Sequence, residues 1–126
     1  EGKQIPVGNG GTTSKYTWTQ TVHETTVLLV VPPGSRGKDI NVAFKANSMS
    51  IRHKSTNTVL LEGNFNEGIR PDESTWSLEG GVLIVTLDKV KQTWWKCVLQ
   101  GDDEIDTTKV DSTRNISEYD ESTQAA

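Results

Sequence analysis

The chain has 126 residues, of which 33% are apolar, and it carries a formal net charge of −4 at pH 7. An acidic balance argues against a nucleic-acid-binding protein and against a polybasic membrane anchor. The sequence contains no apolar run long enough to span a bilayer or to form the apolar region of a signal peptide. The length favours one domain with polar ends.

The N-terminal stretch, residues 1–14, is polar and rich in glycine, most densely from Gly8 to Gly11. Such a stretch buries too little surface to offset the entropy lost when a chain becomes ordered. We therefore predict a flexible N-terminal linker over residues 1–14.

From Tyr16 onward, runs of β-branched and aromatic residues are separated by turn residues. Pro32-Pro33-Gly34 and Gly80-Gly81 are the strongest turn signals. The pattern predicts seven strands, near residues 16–20, 25–31, 40–44, 49–53, 58–63, 74–79 and 82–90. Short strands at these intervals predict an all-β fold, a compact antiparallel β-sandwich occupying residues 15–100.

The polar C-terminal part of the chain follows a short mixed segment. We predict that residues 91–99 form either a short helical turn or a strap across one end of the sandwich. Residues 101–126 are acidic and are assigned to a C-terminal extension. Its few apolar residues are expected to dock the extension onto the sandwich. They are Ile105, Val110, Ile116 and Tyr119.

Four tryptophans mark the predicted domain. Because tryptophan buries a large area, we expect Trp18, Trp76 and one of Trp94 and Trp95 to hold the sandwich together. Adjacent residues of an extended segment point to opposite faces, so the other member of the pair is expected to lie outward or under the extension. The remaining predicted core residues are Phe44, Ile51, Leu61, Leu78, Val85 and Leu87.

Residues with catalytic or metal-binding chemistry are few. His23 and His53 stand in strand-like contexts, and the single cysteine, Cys97, is expected to be a packed thiol. A nucleophile needs a base within hydrogen-bond reach, and zinc or calcium needs clustered ligands that this spacing does not provide. We therefore predict no catalytic residue, no metal and no cofactor. A single cysteine also fits a reducing compartment.

Exposed cations and aromatic residues are the remaining candidates for protein binding. Cations at strand edges protect against unwanted pairing, and they can also attract an acidic partner. Tryptophan is enriched where proteins bind one another. The partner-binding candidates are Arg52, Lys54, Lys89, Lys91, Trp94 and Trp95.

Several motifs occur in a fixed order along residues 16–120. The first are Tyr16-x-Trp18-x-Gln20, the run 27–32 and Gly37-Lys38-Asp39-Ile40-x-Val42. The later ones are Leu61-x-Gly63, Ile69-x-Pro71-Asp72-Glu73-Ser74-x-Trp76, Leu87-Asp88-Lys89-Val90, Trp94-Trp95 and the segment 101–110. The first series resembles the CS domain of heat-shock-protein-90 co-chaperones. The later series is similar to the nuclear-distribution protein C (NudC) family of CS-domain proteins.

The resemblance implies a fold and a function. The implied fold is the CS sandwich, which is related to the α-crystallin-type chaperones. The implied function is that of a non-enzymatic, ATP-independent chaperone or co-chaperone, which acts in nuclear movement and protein folding in the cytoplasm. The implied partners are heat-shock protein 90, a dynein-pathway regulator and unfolded clients, with neither nucleic acid nor membrane. This chain is expected to be a monomer.

Two other hypotheses remain open at this point. One is a pure adaptor, which binds a partner protein without holding unfolded clients. The other is a small hydrolase or isomerase, although the sequence offers no convergent acid, base and nucleophile for it.

Overall fold

The computed structural model describes residues 3–110, which form eight β-strands in two antiparallel sheets. The strands are β1 (Gly11–Thr12), β2 (Tyr16–Gln20), β3 (Glu24–Val30), β4 (Ile40–Lys45), β5 (Ser48–His53), β6 (Thr58–Asn64), β7 (Thr75–Glu79) and β8 (Val82–Asp88). Short 3-10 turns lie at Gly37–Asp39, Pro71–Glu73 and Thr107–Lys109. The predicted all-β sandwich is confirmed, and β1 is added to the seven predicted strands.

The two sheets have the strand orders β1-β2-β3-β8-β7 and β4-β5-β6. In the larger sheet, Val27 of β3 lies opposite Trp18 of β2 on one side and opposite Val85 of β8 on the other. Gly80 and Gly81 join β7 to β8, with φ angles of 57° and 82°. A two-residue type I′ turn requires positive φ at both positions, which glycine adopts without strain.

The core lies between the inner faces of the two sheets. The predicted core residues Ile51, Leu61, Val85 and Leu87 are all at most 3% exposed. Three other predicted core residues are only partly buried and pack against the border of the core. They are Phe44, Trp76 and Leu78. They lie on β4 and β7, which are edge strands and have a neighbouring strand on one side only.

The N-terminal segment packs against the sandwich over residues 4–12, contrary to the predicted linker. The backbone N–H of Gln4 donates to the carbonyl of Glu104 at 2.9 Å, and the Gln4 carbonyl accepts from the N–H of Asp106 at 2.8 Å. The Gln4 side-chain amide lies along β1, where Nε2 donates to Thr12 O at 2.7 Å and Oε1 accepts from Thr12 N at 2.9 Å. Hydrogen bonds therefore order a stretch that has little apolar surface to bury.

Glycine is required where this segment meets β2. A Cβ atom on Gly10 would overlap the backbone carbonyl of Trp18. A side chain at this position is therefore incompatible with the observed approach of the two segments.

Residues 91–99 form the predicted strap rather than a helical turn. Leu99 forms a β-bridge with Phe65, and the N–H of Asn66 donates to the carbonyl of Val98 at 3.0 Å. The strap leaves the larger sheet after β8 and contacts the chain just beyond β6 of the smaller sheet. It therefore closes one end of the sandwich, with Trp95 fully buried beneath it.

The first part of the C-terminal extension packs against the sandwich. Ile105 is fully buried, and Val110 packs against the border of the core. The Tyr16 hydroxyl donates a hydrogen bond to the Asp102 carboxylate. The other two predicted docking residues, Ile116 and Tyr119, lie outside the described residues. Within residues 3–110 the chain forms no helix that is long and apolar enough to cross a membrane.

Candidate protein-binding site

The outer face of the larger sheet is uncharged over most of its area. Apart from Glu24 and Asp88, the outward side chains of β3 and β8 are Thr26, Leu28, Val30, Val82, Ile84 and Thr86. Leu28 lies opposite Ile84, and Val30 lies opposite Val82. Leu28 is 37% exposed and Val30 is 76% exposed. The pairs form an apolar strip that is accessible from outside the molecule.

The N-terminal segment extends this uncharged area past β2. Thr17 and Thr19 point outward from β2 and line a shallow cleft of about 210 Å³ together with Ile5 and Val7. We call the whole surface the neutral face; it comprises Ile5, Val7, Thr17, Thr19, Thr26, Leu28, Val30, Val82, Ile84 and Thr86. Residues 3–110 contain six exposed large apolar residues, and four of them belong to the neutral face. Such a concentration is typical of an interaction surface.

Acidic side chains border the neutral face. Glu24 lies opposite Asp88 at one end of the β3–β8 pair, and Glu79 is exposed at the end of β7. Like charges directly opposite one another destabilise a sheet, and here Arg70 forms a salt bridge with Asp88 at 2.8 Å. A face with an uncharged centre and acidic ends is suited to binding another protein, whereas it repels polyanions.

Lys89 is buried, so the prediction that it is an exposed binding cation is wrong. It is 2% exposed, because it continues the inward register of Leu87 at the end of β8. Its Nζ donates to Gln20 Oε1 at 2.6 Å, to Thr21 O at 2.8 Å and to Thr93 O at 2.7 Å. All three ammonium donors are therefore used, as a buried cation requires.

The two adjacent tryptophans lie on either side of this ammonium. The Lys89 Nζ is 5.4 Å from the ring centroid of Trp94 and 5.8 Å from that of Trp95. Trp95 is fully buried and packs against Phe65, with 6.0 Å between the ring centroids. It plugs the core, as predicted for one member of the pair, and offers no surface to a partner, so the prediction that Trp95 binds a partner is wrong. Trp94 is half-buried and remains a candidate.

Gln20 connects its own strand, β2, to the N-terminal segment, to the end of β8 and to the strap. Sequence reasoning missed this role. Its Oε1 accepts from Trp95 N at 3.0 Å as well as from Lys89, and its Nε2 donates to the carbonyls of Trp95 and Asn9, both at 2.9 Å. The inward alternation of Tyr16-x-Trp18-x-Gln20 was the available signal, because a buried amide needs partners. Burial lowers the pKa of Lys89 to about 8, and the nearby charge of Glu67 opposes this shift.

The other predicted cations do not form one patch. Arg52 and Lys54 lie at the end of β5, and the N–H of Lys54 donates to the carbonyl of Asp39 at 2.7 Å. Lys91 lies near the beginning of β5, where it and Asn47 line a cleft of about 480 Å³. The length of β5 therefore separates Lys91 from Arg52 and Lys54.

His53 is the described side chain closest to a catalytic arrangement. It is 8% exposed, and its Nε2 lies 3.2 Å from Ser35 Oγ. The Ser35 hydroxyl donates to the carbonyl of Pro32 at 2.7 Å, so the ring N–H is the donor in the Ser35–His53 pair. A base that activates a nucleophile must accept that hydrogen bond instead.

Among the described residues, neither Cys97 nor the carboxylates are arranged for catalysis or metal binding. Cys97 is 2% exposed, and burial raises the pKa of its thiol, as a packed thiol requires. Among residues 3–110, no group of three or more His, Cys, Asp and Glu side chains converges on a point where a metal could bind.

The sequence pattern does not reveal the neutral face, and the reason is physical. Residues 25–31 are an almost unbroken run of β-branched and aliphatic residues, so alternation does not distinguish their inner face from their outer face. The pairing of β3 with both β2 and β8 decides which residues point outward.

Comparisons with known proteins give consistent matches. A family model described as "CS domain" matches residues 14–89. The human NudC domain-containing protein 3 is 35% identical over 121 residues, which cover 93% of this chain and 34% of that protein. The nuclear movement protein nudc of Schizosaccharomyces pombe is 33% identical over 116 residues, which cover 89% of this chain and 70% of that protein. The chain thus spans about a third of the first relative's length.

A solved structure supports the same assignment. The CS domain of the human KIAA1068 protein matches with a TM-score of 0.70 and 35% identity, covering 82% of this chain and 85% of that chain. The family model ends at Lys89, so the strap and the docked part of the extension lie beyond it.

Proposed function

Because the chain belongs to the CS-domain family, among the nuclear movement proteins of the NudC type, we propose that it is a non-catalytic protein-binding module with ATP-independent chaperone or co-chaperone activity. The observation that carries this proposal is the neutral face. Its exposed apolar strip is suited to transient contact with apolar segments of other polypeptides, which are accessible when a protein is partly unfolded.

The proposed partners are heat-shock protein 90, a dynein-pathway regulator and unfolded clients, and the proposed location is the cytoplasm. The name of the fission-yeast relative supports a role in nuclear movement, since this chain covers 70% of that protein. Of the two tryptophans that were expected to contact a partner, only Trp94 is accessible. We therefore assign client binding to the neutral face. Val30, at 76%, is more exposed than Leu28, the other exposed large apolar residue on the strands of this sheet.

Aggregation of a heat-denatured model enzyme, followed by light scattering without nucleotide, tests the proposal. The unmodified chain in molar excess is expected to suppress aggregation. Val30→Asp places a charge in the apolar strip and is expected to lose most of this suppression. Surface substitutions of this kind usually change stability by only about ±0.5 kcal/mol, and thermal unfolding of the variant verifies that it is folded.

Val59→Asp is the matched control. Val59 is 45% exposed and lies on β6 of the other sheet, so this variant should suppress aggregation as well as the unmodified chain. Equal loss in both variants would assign the effect to added charge rather than to the neutral face. No suppression by the unmodified chain would overturn the chaperone part of the proposal.

A pure adaptor is the second candidate, and the cations at the end of β5, half-buried Arg52 and exposed Lys54, favour it. An adaptor should bind purified heat-shock protein 90 without suppressing aggregation. Its binding should weaken as salt rises above physiological strength, because exposed charges are screened. Binding that does not respond to salt would count against this candidate.

A further inference from the structure

Four cationic residues lie at one corner of the smaller sheet. We call this group the basic corner; it comprises Arg36, Lys38, Arg52 and Lys54. Arg36 and Lys38 belong to the turn that precedes β4, whereas Arg52 and Lys54 lie at the end of β5. The β4–β5 register places Ile40 opposite His53 and Asn41 opposite Arg52, so the beginning of β4 adjoins the end of β5.

The turn that carries Arg36 and Lys38 is fixed by hydrogen bonds. The Asp39 carboxylate accepts from the N–H of Arg36 at 2.9 Å and from the Ser55 hydroxyl at 3.1 Å. The Asp39 carbonyl accepts from the N–H of Lys54 at 2.7 Å. These contacts hold the two halves of the basic corner together, so its cations are presented by a built framework rather than by a free loop.

The charge of the basic corner is largely unneutralised. Arg36, Lys38 and Lys54 are exposed, and none of the four cations takes part in a salt bridge within residues 3–110. The Arg52 guanidinium donates to Asn57 Oδ1 at 2.8 Å, which leaves its charge uncompensated. Asp39 is the carboxylate within the turn, and the hydrogen bonds from the Arg36 N–H and Ser55 hold its pKa below the ordinary value. Four cations and one anion give a local charge of +3 on a chain whose net charge is −4.

We propose that the basic corner binds an acidic, extended segment of a partner protein. Two guanidinium groups can each hold a carboxylate through two parallel hydrogen bonds, and the two lysines add point charges around them. Strand β4 is an edge strand and pairs only with β5 among the described strands. An extended segment beside β4 can therefore also form backbone hydrogen bonds.

A short acidic peptide fits this surface better than a nucleic acid or a membrane. Four cations over one corner neutralise a few carboxylates, whereas a nucleic acid or an anionic bilayer also meets the negative potential of the whole chain. The corner lies on the sheet opposite the neutral face. The proposal for the basic corner rests on the proposed function only in assuming that the chain binds proteins, and it adds a second class of partner.

Fluorescence anisotropy with a labelled peptide of alternating glutamate and serine tests the proposal. The unmodified chain is expected to bind this peptide, to lose affinity as salt rises, and to ignore a peptide with glutamine in place of glutamate. The double variant Arg36→Glu/Lys38→Glu is expected to lose at least about tenfold in affinity. The milder Arg36→Gln/Lys38→Gln, which only removes charge, should show a smaller loss, and circular dichroism verifies that both variants are folded.

Lys45→Glu/Lys91→Glu is the matched control. It changes the net charge by the same amount, but Lys45 and Lys91 lie at the opposite end of the β4–β5 pair. Its affinity should fall much less than that of the corner variant. Equal losses in the two variants, or no binding by the unmodified chain, would overturn the proposal.

Two further probes separate the classes of ligand. A single-stranded oligonucleotide and vesicles containing phosphatidylserine should bind more weakly than the peptide, and tighter corner-dependent binding of either would overturn the assignment to a protein partner. Val30→Asp should leave peptide binding unchanged. A failure of client binding at the neutral face is therefore distinguishable from a failure of the basic corner.

Discussion

The side chain of Lys89 carries a positive charge into a site where it is only 2% exposed. Burying a charge costs free energy unless polar groups compensate it, and removing one of these partners usually destabilises a protein strongly. The three oxygen acceptors and two indole rings around Nζ offset part of this cost, and the lowered pKa of Lys89 indicates that burial outweighs them. The residue therefore ties the end of β8 to β2 and to the strap, and its protonation is coupled to folding.

Lys89→Met should change how stability depends on pH. The pKa of Lys89 is about 8 in the folded chain, and lysine in an unfolded chain titrates near ~10.4. Between these values the unfolded chain holds more protons at this residue, so the contribution of Lys89 to stability rises with pH. We expect the free energy of unfolding of the unmodified chain to rise relative to Lys89→Met by about 1–2 kcal/mol between about pH 7.5 and about pH 9.5, measured by urea unfolding.

Lys91→Met is the control for this pH experiment, since Lys91 is exposed. Burial raises the pKa of Tyr16 and of Cys97, and both groups lower stability at alkaline pH in every variant. The difference between variants is therefore the informative quantity. Parallel pH courses for the unmodified chain and Lys89→Met would mean that the hydrogen bonds and rings offset burial completely.

Residue-scale prediction succeeded at the inward positions of several strands. Ile51 on β5, Leu61 on β6 and Val85 on β8 are all buried, because each points toward the core between the two sheets. Lys89 was misplaced because a charge ordinarily indicates exposure. Two of its acceptors, on Gln20 and Thr21, come from a distant part of the chain, and sequence spacing does not reveal them.

Among the elements, β1 shows how a side chain can protect a strand edge. An unpaired edge is a template for pairing with other chains. The amide of Gln4 carries the same donor and acceptor as a peptide group, and both are bonded to Thr12. One side chain therefore takes the place of a neighbouring strand at this position.

Gln4→Ala should open this edge locally. Because two hydrogen bonds to Thr12 are lost, we expect the amide hydrogen of Thr12 to exchange several-fold to about tenfold faster, in line with about 0.5–1.5 kcal/mol per hydrogen bond. Nuclear magnetic resonance measures this rate. Ile5→Ala, at a residue that is 69% exposed, is the control and should leave the rate unchanged. An unchanged rate in Gln4→Ala would show that the side chain does not protect the edge.

Element-scale prediction depended on the kind of interaction that forms each element. The seven predicted strands were found because turn residues and alternating apolar residues are local signals. Strand β1 and the ordered N-terminal segment were missed, since they depend on hydrogen bonds to residues such as Glu104 and Asp106. The strap remained one of two alternatives for the same reason.

The folded molecule as a whole is larger than the region that defines its family. The family model covers residues 14–89, yet Trp95, Val98, Leu99 and Ile105 are each at most 4% exposed. These four side chains fill the end of the sandwich that the strap closes. The sandwich without them has an open core.

A chain restricted to residues 14–89 should therefore fail to fold. Truncating one large buried side chain typically costs about 2–5 kcal/mol, so losing four costs as much as, or more than, a typical stability of about 5–15 kcal/mol. A chain of residues 3–110 should unfold in one cooperative transition in urea, followed by circular dichroism. A cooperative transition of the shorter chain at the same midpoint would contradict this account of the core.

At the scale of the whole molecule, the sequence predicted the architecture but not the surfaces. Grouping Arg52 and Lys54 with Lys89 and Lys91 assumed that their strands bring them together. The topology instead places Lys91 at the other end of β5 and turns Lys89 inward. Which charges share a surface depends on strand order, and strand order is a long-range property.

The link between Gln4 and the chain at Glu104 and Asp106 also sets the order in which the molecule is completed during its synthesis. The N-terminal segment is synthesised before its backbone partners, which emerge after almost all of the described chain. Until then, Ile105 is not available to pack against Gly11. A nascent chain therefore passes through a stage in which all eight strands have been synthesised but the sheet edge at β1 is not yet covered. Contact with neighbouring nascent chains is most hazardous at this stage. Within the described chain, the segment that is made earliest is therefore among the last to be held in place.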